Sequence, residues 1–417
     1  MSKQDKHIAI VVKYFPTVSE TFIVNQINGL LDAGCKVDLY AYVAIENALI
    51  HKSLKKYNLL EKVKYFISPP TLKRKRFIVF LNWIFENFFS IKWNLLFKTL
   101  HFFKYGKEAY TLKLFFEAQW FLVPNTVDII HTHFGMTGNR IAKLKAIGII
   151  PSSVKLINTF HGYDLSPEKL PLYKKKYHDL FHQADVFTVN TPYLEGVLKQ
   201  VNTNNKPCYI LPVGLDTSYF KKEQEKENTG FFDIVFCGRL IPLKAPDLAV
   251  AIIKQVILAG YHNVRLHIIG DGPMKAQLQE TIKENKLKEY VSIYGQLSQE
   301  AIKQKMQLSD MFLLPGRYEA HTGRAETQGL VIQEAQAMCL PVIVSDVGGM
   351  QYGVLPNKTG YIIAENDING FVTAIEQLIL KPDLKVELGN NGRDFVVKNY
   401  DNKVLTDALL VIYDKII

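Results

Sequence analysis

The chain has 417 residues, 48% apolar and 22% charged, which fits two globular domains of roughly 200 residues each. A polar lead followed by about five apolar residues predicts a first β-strand rather than a signal peptide, so we expect an intracellular protein. Four scattered cysteines without CxxC or metal-ligand spacing argue against disulfide or cysteine-metal chemistry. Residues 1–215 contain 28 Lys and Arg against 15 Asp and Glu, which indicates an anionic partner: a membrane surface, a nucleic acid or an acidic substrate.

Short β-type segments alternate with helical patterns in two series, which is typical of parallel sheets built from βα units. The first series predicts strands near 8–12, 37–42, 128–131, 154–159, 186–189 and 208–212. The second predicts strands near 233–237, 264–269, 290–294, 311–314 and 341–344. A polar run over residues 221–230 separates them. We therefore predict domains over 1–220 and 231–400, with a last helix over 401–417 that packs back on the first domain.

Residues 71–122 interrupt the first series with an aromatic, basic segment that shows no strand alternation. Polar residues recur every four positions between Phe77 and Phe97, so a helix there would carry one narrow polar stripe. Its charged and polar residues argue against a transmembrane span. Two interpretations stay open. One is a buried helical hairpin; the other is an interfacial helix or helical pair that contacts anionic lipid headgroups through Lys73, Arg74, Lys75 and Arg76.

A first group of candidate site residues follows the strand at 233–237, and ligands of parallel α/β domains bind beyond the carboxyl ends of strands. Gly238 permits a tight exit from that strand. Arg239 and Lys244 then place two cations beside a helix that we expect to begin near residue 245 or 246, which favours a phosphate. A solvated loop with surface cations is the alternative.

A second group lies in the loop after the strand at 311–314. Glu326 precedes a predicted helix and Glu334 lies on it, so both carboxylates are expected to face the crevice between the domains and accept hydrogen bonds from sugar hydroxyls. Gly329 and Leu330 stand at the helix start, where free N–H groups bind a diphosphate. The alternative is that both glutamates are charges on a helix start and a solvated helix face.

The N-terminal half offers weaker candidates. His161 ends a strand and can contact a sugar hydroxyl or a leaving group, and Asp164 follows it. His133 lies two residues after another histidine on a strand, but no third metal ligand is evident, so a structural or substrate-lining role is favoured. The loop with Thr17 and Ser19 follows the first strand and could line an acceptor pocket, although a capping box explains part of that pattern.

Two motifs are absent from the sequence. There is no Asp-x-Asp, which would hold a divalent metal on a diphosphate, and no GxxxxGK[ST] phosphate loop. We therefore expect neither a metal nor another cofactor.

Taken in order, FPTVSETFIVNQI, HTHFG, TFHGYD, HQADVFTVNTPYLEGVL, VGLDTSYF, CGRLIPLKAPD, IIGDGP and the Glu326-x7-Glu334 segment resemble glycosyltransferase family 4. SETF and HFG are most similar to the bacterial subgroup that builds exopolysaccharide, including the colanic acid type. The resemblance implies a GT-B fold, in which two Rossmann-like domains face a central cleft and the C-terminal domain binds a nucleotide-sugar donor. By family pattern, Arg239 and Lys244 hold the diphosphate, Glu326 contacts the donor sugar, Glu334 the ribose, and His161 the sugar from the opposite domain.

The resemblance also implies a retaining, metal-independent hexose transfer to a lipid-linked or polysaccharide acceptor, in the cytoplasm at the inner face of the plasma membrane and without nucleic acid. Three positions depart from the family pattern: Ala245 and Thr327 stand where glycine is usual, and Tyr352 where glutamate is usual. Two alternatives remain at this stage: a nucleotide-sugar epimerase or hydrolase on the same fold, and a non-catalytic membrane-docking module.

Overall fold

Two parallel β-sheets organise the part of the chain that the computed structural model describes, which is residues 6–17, 21–45 and 52–417. Within those residues the first sheet contains β1 (His7–Phe15), β2 (Lys36–Ala44), β3 (Val63–Tyr65), β4 (Ile129–His133), β5 (Lys155–Phe160), β6 (Val186–Val189) and β7 (Cys208–Ile210). The second contains β8 (Phe232–Cys237), β9 (Val264–Ile269), β10 (Val291–Ile293), β11 (Met311–Leu314), β12 (Val342–Ser345) and β13 (Gly360–Ile363). The predicted class, α/β with two Rossmann-like sheets, is confirmed.

Helices connect the strands in both halves. Those of the first half are α1 (Thr21–Asp32), α2 (Lys52–Lys55), α3 (Leu59–Lys62), α4 (Lys73–Asn87), α5 (Trp93–Thr99), α6 (Phe102–Tyr105), α7 (Lys107–Tyr110), α8 (Lys113–Ala118), α9 (Gly135–Ala146), α10 (Leu170–Lys176), α11 (His178–Gln183) and α12 (Pro192–Lys199). Those of the second half are α13 (Pro246–Leu258), α14 (Lys275–Glu284), α15 (Gln299–Gln307), α16 (Leu330–Ala337), α17 (Ile368–Leu380), α18 (Pro382–Tyr400) and α19 (Asn402–Asp414).

In each sheet, successive strands are first added on one side of the first strand and then on the other. The strand orders are β3-β2-β1-β4-β5-β6-β7 and β10-β9-β8-β11-β12-β13. The reversals therefore lie between β1 and β4 in the first sheet and between β8 and β11 in the second. Ligands of open α/β sheets bind beyond the carboxyl ends of strands at such points. The fold thus directs attention to the loops that leave these four strands.

Both faces of each sheet are buried, which explains why the sequences of the central strands are mostly apolar. In β1, Ile8 and Ile10 join one hydrophobic cluster, whereas Ala9 and Val11 join another on the opposite face. In the second sheet, β8, β11 and β12 are buried along their whole length. Helices covering both faces fix the position of the strand ends, and so of the loops that follow them.

The segment 71–122 forms the 15-residue helix α4 and the shorter helices α5 to α8, so residues 77–97 belong to a helical pair and not to one helix. The chain leaves the helical path after α4 because it turns to bury Ile91 and to donate the N–H of Lys92 to the carbonyl of Leu122, at 2.7 Å. One face of α4 packs on α8, where Phe80 and Trp83 contact Phe115 edge-on. The opposite face of α4 is exposed, which also excludes the fully buried hairpin.

The chain passes between the two halves twice, and the two connecting segments lie side by side. Leu215, after β7, forms a parallel bridge with Asp401, between α18 and α19. The N–H of Leu215 donates to the carbonyl of Tyr400 at 3.1 Å, and the N–H of Asn402 donates to the carbonyl of Leu215 at 3.0 Å. Helix α19 then packs against α1, where its Tyr413 is fully buried. The last helix is therefore part of the first half of the molecule in space.

Candidate active site

A cavity of ≈ 530 Å³ of empty space lies where loops from both halves meet. One wall comes from the loop after β5 and the other from the loops after β8 and β11. The lining residues are His161, Gly162, Tyr163, Leu165, Pro167, Tyr193, Arg239, Leu243, Arg324, Ala325, Glu326 and Thr327. The structure thus brings together His161, Arg239 and Glu326, which lie far apart in sequence.

The loop after β8 positions two cations at this cavity. Gly238 follows the last residue of β8, and its N–H donates to the carbonyl of Ile269 at 2.9 Å, which holds the loop on the neighbouring strand. Arg239 is exposed, and within the described part of the chain its guanidinium has no ion-pair or hydrogen-bond partner. Lys244 is largely buried one residue before the turn into α13. Arg239 is therefore free to bind an anionic ligand, whereas Lys244 is held in the protein interior.

Ala245 adopts a left-handed conformation, with φ of 50° and ψ of 52°, directly before α13 begins at Pro246. Glycine reaches this region without the steric cost that a Cβ imposes. This geometry gives a physical reason for the glycine that is usual at this position. The alanine retains the backbone path and also retains Lys244 beside the site.

Lys244 forms an ion pair with Glu326, at 2.5 Å between Nζ and Oε2. Burial raises the pKa of the Glu326 carboxyl, but Lys244 and the backbone N–H groups of Gln328 and Thr327 outweigh burial, so the net pKa lies below its usual value. The carboxylate is therefore ionised at neutral pH. An ionised, oriented acceptor at the cavity wall suits a sugar hydroxyl, and its negative charge is balanced by the lysine.

Glu334 lies in the second turn of α16, and Gly329 with φ of 75° precedes the first residue of that helix, Leu330. Burial raises the pKa of Glu334 to about 7, and Lys244 opposes that rise. Within the described residues, the Glu334 carboxylate has no hydrogen-bond or ion-pair partner. Glu334 is not among the residues that line the cavity. Leu330 and Gly329 place the helix start beside Glu326, as the sequence predicts.

Three neutral histidines stack inside the first half. The rings of His131 and His133 lie 4.9 Å apart, and those of His133 and His161 lie 5.3 Å apart. Burial lowers the pKa of all three, with that of His133 at about 3. His133 Nδ1 and His161 Nε2 share a hydrogen bond of 3.0 Å, so one neutral ring donates and the other accepts. His161 alone among the three reaches the cavity.

Two of the acceptor-side candidates, His133 and Asp164, are buried. His133 is fully buried and orients His161 through that hydrogen bond, so it does not line the cavity itself. Asp164 is also buried, and its two carboxylate oxygens accept from the N–H groups of Gly135, at 2.7 Å, and His161, at 3.1 Å. Burial raises the pKa of Asp164 to about 6, against those N–H groups. Both residues position the His161 loop.

The remaining acceptor candidates lie near the end of β1. Thr17 is half-buried just beyond that strand, next to the reversal point of the first sheet. Ser19 lies outside the described residues. A second cavity, ≈ 470 Å³ in empty volume, opens between α1, α19 and the chain crossing, and His161 lines it as well. His161 therefore stands between the two cavities.

Thr327 connects the two halves at the cavity. Its hydroxyl donates to the carbonyl of His161 at 3.1 Å and accepts from Asn190 Nδ2 at 3.2 Å. Its own carbonyl accepts from the hydroxyl of Thr191 at 2.8 Å. The usual glycine would lack the side-chain contacts. The departure from the family pattern at this position therefore creates hydrogen bonds between the donor-side loop and the first half.

Among the residues of the cavity wall that the sequence patterns missed are Arg324 and Tyr193. Arg324 stacks over Tyr163, with 5.3 Å between the guanidinium carbon and the ring centroid, and adds a third cation. Its position two residues before Glu326 could have indicated that Arg324 belongs to the site. Tyr193 gives no signal in the sequence, because it follows the capping residue of α12, Thr191, and reads as an ordinary helix start.

Sequence profiles of two protein families match successive parts of the chain. "Glycosyltransferase Family 4" matches residues 19–219, and "Glycosyl transferases group 1" matches residues 218–395. Together they span nearly all of both halves. The chain is a glycosyltransferase with a family 4 domain followed by a group 1 domain. The cavity between its domains corresponds in position to the cleft that a GT-B fold places between donor and acceptor domains.

Relatives of this glycosyltransferase support the same assignment. It is 26% identical over 401 residues to the putative colanic acid biosynthesis glycosyltransferase WcaL of Escherichia coli, covering 95% of this chain and 96% of that one. It is 26% identical to the amylovoran biosynthesis glycosyltransferase AmsK of Erwinia amylovora, covering 87% and 88% of the two chains. In structure it is similar to HepE of Anabaena, solved in complex with UDP, with a TM-score of 0.71, 15% identity, and coverage of 98% and 100%.

Proposed function

We propose that this glycosyltransferase moves a hexose from a nucleotide-diphosphate sugar to a lipid-linked or polysaccharide acceptor in exopolysaccharide biosynthesis, with retention of the anomeric configuration. The observation that carries the proposal is the cavity between the domains, where an unpaired Arg239, the Lys244–Glu326 pair and His161 meet. The similarity to colanic acid and amylovoran glycosyltransferases supports the exopolysaccharide assignment. The UDP bound to HepE supports a nucleotide-linked donor.

Each donor-site residue has a role in this proposal. Arg239 and Lys244 neutralise the diphosphate, assisted by N–H groups at the start of α16. Glu326 accepts from hydroxyls of the transferred sugar, and Glu334 accepts from the ribose. His161, held by His133, contacts the sugar from the first domain.

The proposed reaction breaks the bond between the sugar C1 and the diphosphate oxygen and forms one between C1 and the acceptor oxygen on the same face. The electron pair of the broken bond leaves with the diphosphate, and the acceptor proton transfers to that departing oxygen. Negative charge therefore develops on the diphosphate in the transition state. Preplaced cations stabilise that charge, and removing one such group typically lowers kcat about 10²–10³-fold.

We propose that the reaction needs no metal, because Arg239 and Lys244 would supply the positive charge that the diphosphate requires. Transfer is expected to continue in EDTA. An activity lost in EDTA and restored by Mg²⁺ or Mn²⁺ would contradict this part of the proposal and leave the transferase assignment intact.

The test of the donor site compares Arg239→Ala and Glu326→Ala with a matched surface variant, Lys283→Ala, whose side chain is 64% exposed and remote from the cavity lining. Transfer is expected to fall at least about 10²-fold in the first two variants and to stay unchanged in the third. Thermal melting serves as the folding control. Full transfer activity in both folded site variants would overturn the proposal.

The acceptor requirement separates transfer from two other activities. A hydrolase or epimerase would consume the nucleotide sugar without an acceptor, whereas a transferase releases nucleotide in proportion to glycosylated acceptor. We therefore expect nucleotide release to depend on added lipid-linked glycan. Stoichiometric donor loss without acceptor would favour the hydrolase, and binding of UDP with no turnover would favour a non-catalytic module.

We also propose that the enzyme works as a peripheral protein at the inner face of the plasma membrane, where a lipid-linked acceptor would be presented. The positive excess in residues 1–215 supports an anionic surface as partner. None of the described helices is long and apolar enough to cross a bilayer.

A further inference from the structure

Helix α4 presents an apolar stripe to solvent. Phe77, Leu81 and Phe85 follow one another at intervals of four residues, which places them on one helix face, and they are 54%, 47% and 86% exposed. Ile78 lies beside them at 56% exposure. The opposite face is occupied by the packing against α8. An amphipathic helix normally buries its apolar side, so α4 has a second apolar side without a partner in the described structure.

The stripe continues through the turn after α4 into α5. Phe88 contacts Phe89 and Trp93 edge-on at 5.4 and 5.3 Å, and Trp93 contacts Phe97 at 6.2 Å. Phe89 is 102% exposed, more than in an extended reference chain. These four rings contact one another in series, and they adjoin the stripe on α4 because Phe88 follows Phe85 by three residues at the helix end. We name this surface the aromatic ridge and define it by Phe77, Ile78, Leu81, Phe85, Phe88, Phe89, Trp93 and Phe97.

The area of the aromatic ridge exceeds what a free surface normally carries. Large apolar side chains of this kind have about 150–250 Å² each, so the exposed fractions correspond to on the order of 1,000 Å². Contiguous apolar patches on monomers are about 300–600 Å² at most. Phe102 and Phe103 of α6, at 55% and 88% exposure, add to the apolar surface of the same segment. Such a surface requires a partner.

Charge around the aromatic ridge indicates which partner. Residues 71–122 contain nine Lys and Arg against three Asp and Glu. Arg74 and Lys75 are exposed next to the ridge residues of α4, and neither side chain has an ion pair within the described part of the chain. A second copy would bring the same positive excess face to face, which disfavours a dimer at this surface. An anionic partner with an apolar interior satisfies both features.

We propose that the aromatic ridge is a membrane-docking surface that inserts into the boundary between headgroups and acyl chains of an anionic bilayer. The proposal rests on the proposed function, since a lipid-linked acceptor would place the enzyme at that surface. Aromatic and aliphatic side chains fill the acyl boundary, while Arg74, Lys75 and Lys73 meet the phosphates. Ile78 and Leu81 distinguish this surface from a nucleic-acid site, in which aromatic rings stack on bases.

The structure changes the role of one cation that the sequence assigns to headgroups. Arg76 is half-buried and donates from Nε to the carbonyl of Pro70 and from Nη1 to that of Thr111. It ties α4 to the rest of the segment. Lys73 lies 4.9 Å from the centroid of the Tyr110 ring, yet remains exposed. The cluster at 73–76 therefore supplies three candidate headgroup contacts, and the main apolar anchor lies further along, at Phe85 and Phe89.

The first experiment measures flotation of the full chain with vesicles, without donor or acceptor. Wild type is expected to float with vesicles of phosphatidylcholine and phosphatidylglycerol and much less with phosphatidylcholine alone. Phe85→Ser together with Phe89→Ser is expected to weaken binding about tenfold or more for each ring removed from the acyl boundary. The matched control is Leu258→Ser with Leu380→Ser, 69% and 66% exposed in the wild type but located in the other domain.

A second measurement follows the ridge directly through tryptophan fluorescence. The three tryptophans of the chain all lie in residues 71–122, and Trp93 is the exposed one at 36%, while Trp83 is 8% exposed. Adding anionic vesicles is expected to shift the emission to the blue and to allow quenching by brominated acyl chains. Trp93→Phe is expected to keep flotation and to lose most of that shift.

Several outcomes would overturn the docking proposal. One is equal flotation of wild type and the Phe85/Phe89 variant, and another is flotation of wild type with no change at Trp93. A concentration-dependent dimer that the ridge variant abolishes would assign the surface to a second copy. Because the assay contains no sugar donor, its failure leaves the transferase proposal untouched, and loss of donor turnover in Arg239→Ala leaves vesicle binding intact.

Discussion

The buried carboxyl of Glu334 lowers the free energy of unfolding at neutral pH, and hydrogen bonds from the proposed ligand would offset that loss. Burial raises its pKa to about 7, compared with an ordinary value near 4.5. Below pH 4.5 the carboxyl is protonated in both states and contributes no pH dependence. Between pH 4.5 and 7 the unfolded chain ionises while the folded chain holds its proton, so the free energy of unfolding falls as the pH rises. An acid without a partner therefore destabilises the folded enzyme at neutral pH.

We predict that Glu334→Gln raises the free energy of unfolding at pH 8 by about 1–3 kcal/mol and that the gain disappears near pH 4.5. Chemical denaturation at several pH values measures this difference. The same variant is expected to weaken nucleotide-sugar binding, because a neutral amide accepts less strongly than a carboxylate from ribose hydroxyls. Glu284→Gln is a control, because Glu284 is exposed at the end of α14. A stability gain that is equal at both pH values would contradict the role of burial.

At the scale of elements, the loop between β11 and α16 is held by both halves of the molecule. Thr327 joins it to the loop after β5, and Gln328 exchanges two hydrogen bonds of 2.8 Å with the backbone of Val213 in the chain crossing. Glu326 stands next to these anchors and pairs with Lys244. The position of the sugar-facing carboxylate therefore depends on contacts that join the domains.

We predict that Thr327→Val lowers kcat/KM about 5- to 30-fold, because loss of the hydroxyl leaves the Asn190 amide and the His161 carbonyl without their partner, at about 1–2 kcal/mol. Thr327→Ser keeps the hydroxyl and is expected to stay within about threefold of wild type. Steady-state kinetics with varied nucleotide sugar measures both variants. A loss in Thr327→Val no larger than that in Thr327→Ser would contradict the role of the hydroxyl.

Sequence patterns predicted the elements that are long or fully buried. Strands such as β8, β11 and β12 are buried along their whole length, and their ends were placed within about one residue because both faces are covered. β3 and β13 were missed, whereas β7 and β10, which are edge strands of three residues each, were predicted. Local patterns also cannot report contacts across the cleft. Thr327 was recognised as unusual, but its bonds to the other domain depend on the folded arrangement.

The same limit applies to the candidate site. Arg239 and Lys244 follow from phosphate chemistry at a strand end, and the structure places both near Glu326. His133 and Asp164 carry the residue types of a ligand site, yet burial makes them supports for the loop of His161. Burial depends on what packs above a strand end, and a single sequence does not show that.

At the scale of the whole molecule, the last helix completes the core of the first domain. Leu409, Leu410 and Ile412 of α19 belong to the same hydrophobic cluster as Ile8 and Ile10 of β1. The hydroxyl of Tyr413 bonds to His131 Nδ1 at 2.7 Å, inside the stack that leads to His161. The chain thus returns from the donor domain to support the opposite wall of the cleft.

We predict that deleting residues 402–417 unfolds the first domain while the second keeps its structure, because four large buried side chains are lost at about 1.5–3 kcal/mol each, against a total domain stability of about 5–15 kcal/mol. Since every tryptophan lies in residues 71–122, their emission reports the first domain alone. The deletion is expected to give red-shifted emission before denaturant is added. Deleting only residues 415–417 should preserve the wild-type spectrum, and Tyr413→Phe should cost about 1 kcal/mol. A native spectrum in the long deletion would show that the first domain folds without α19, and the helix would then serve the cleft rather than the core.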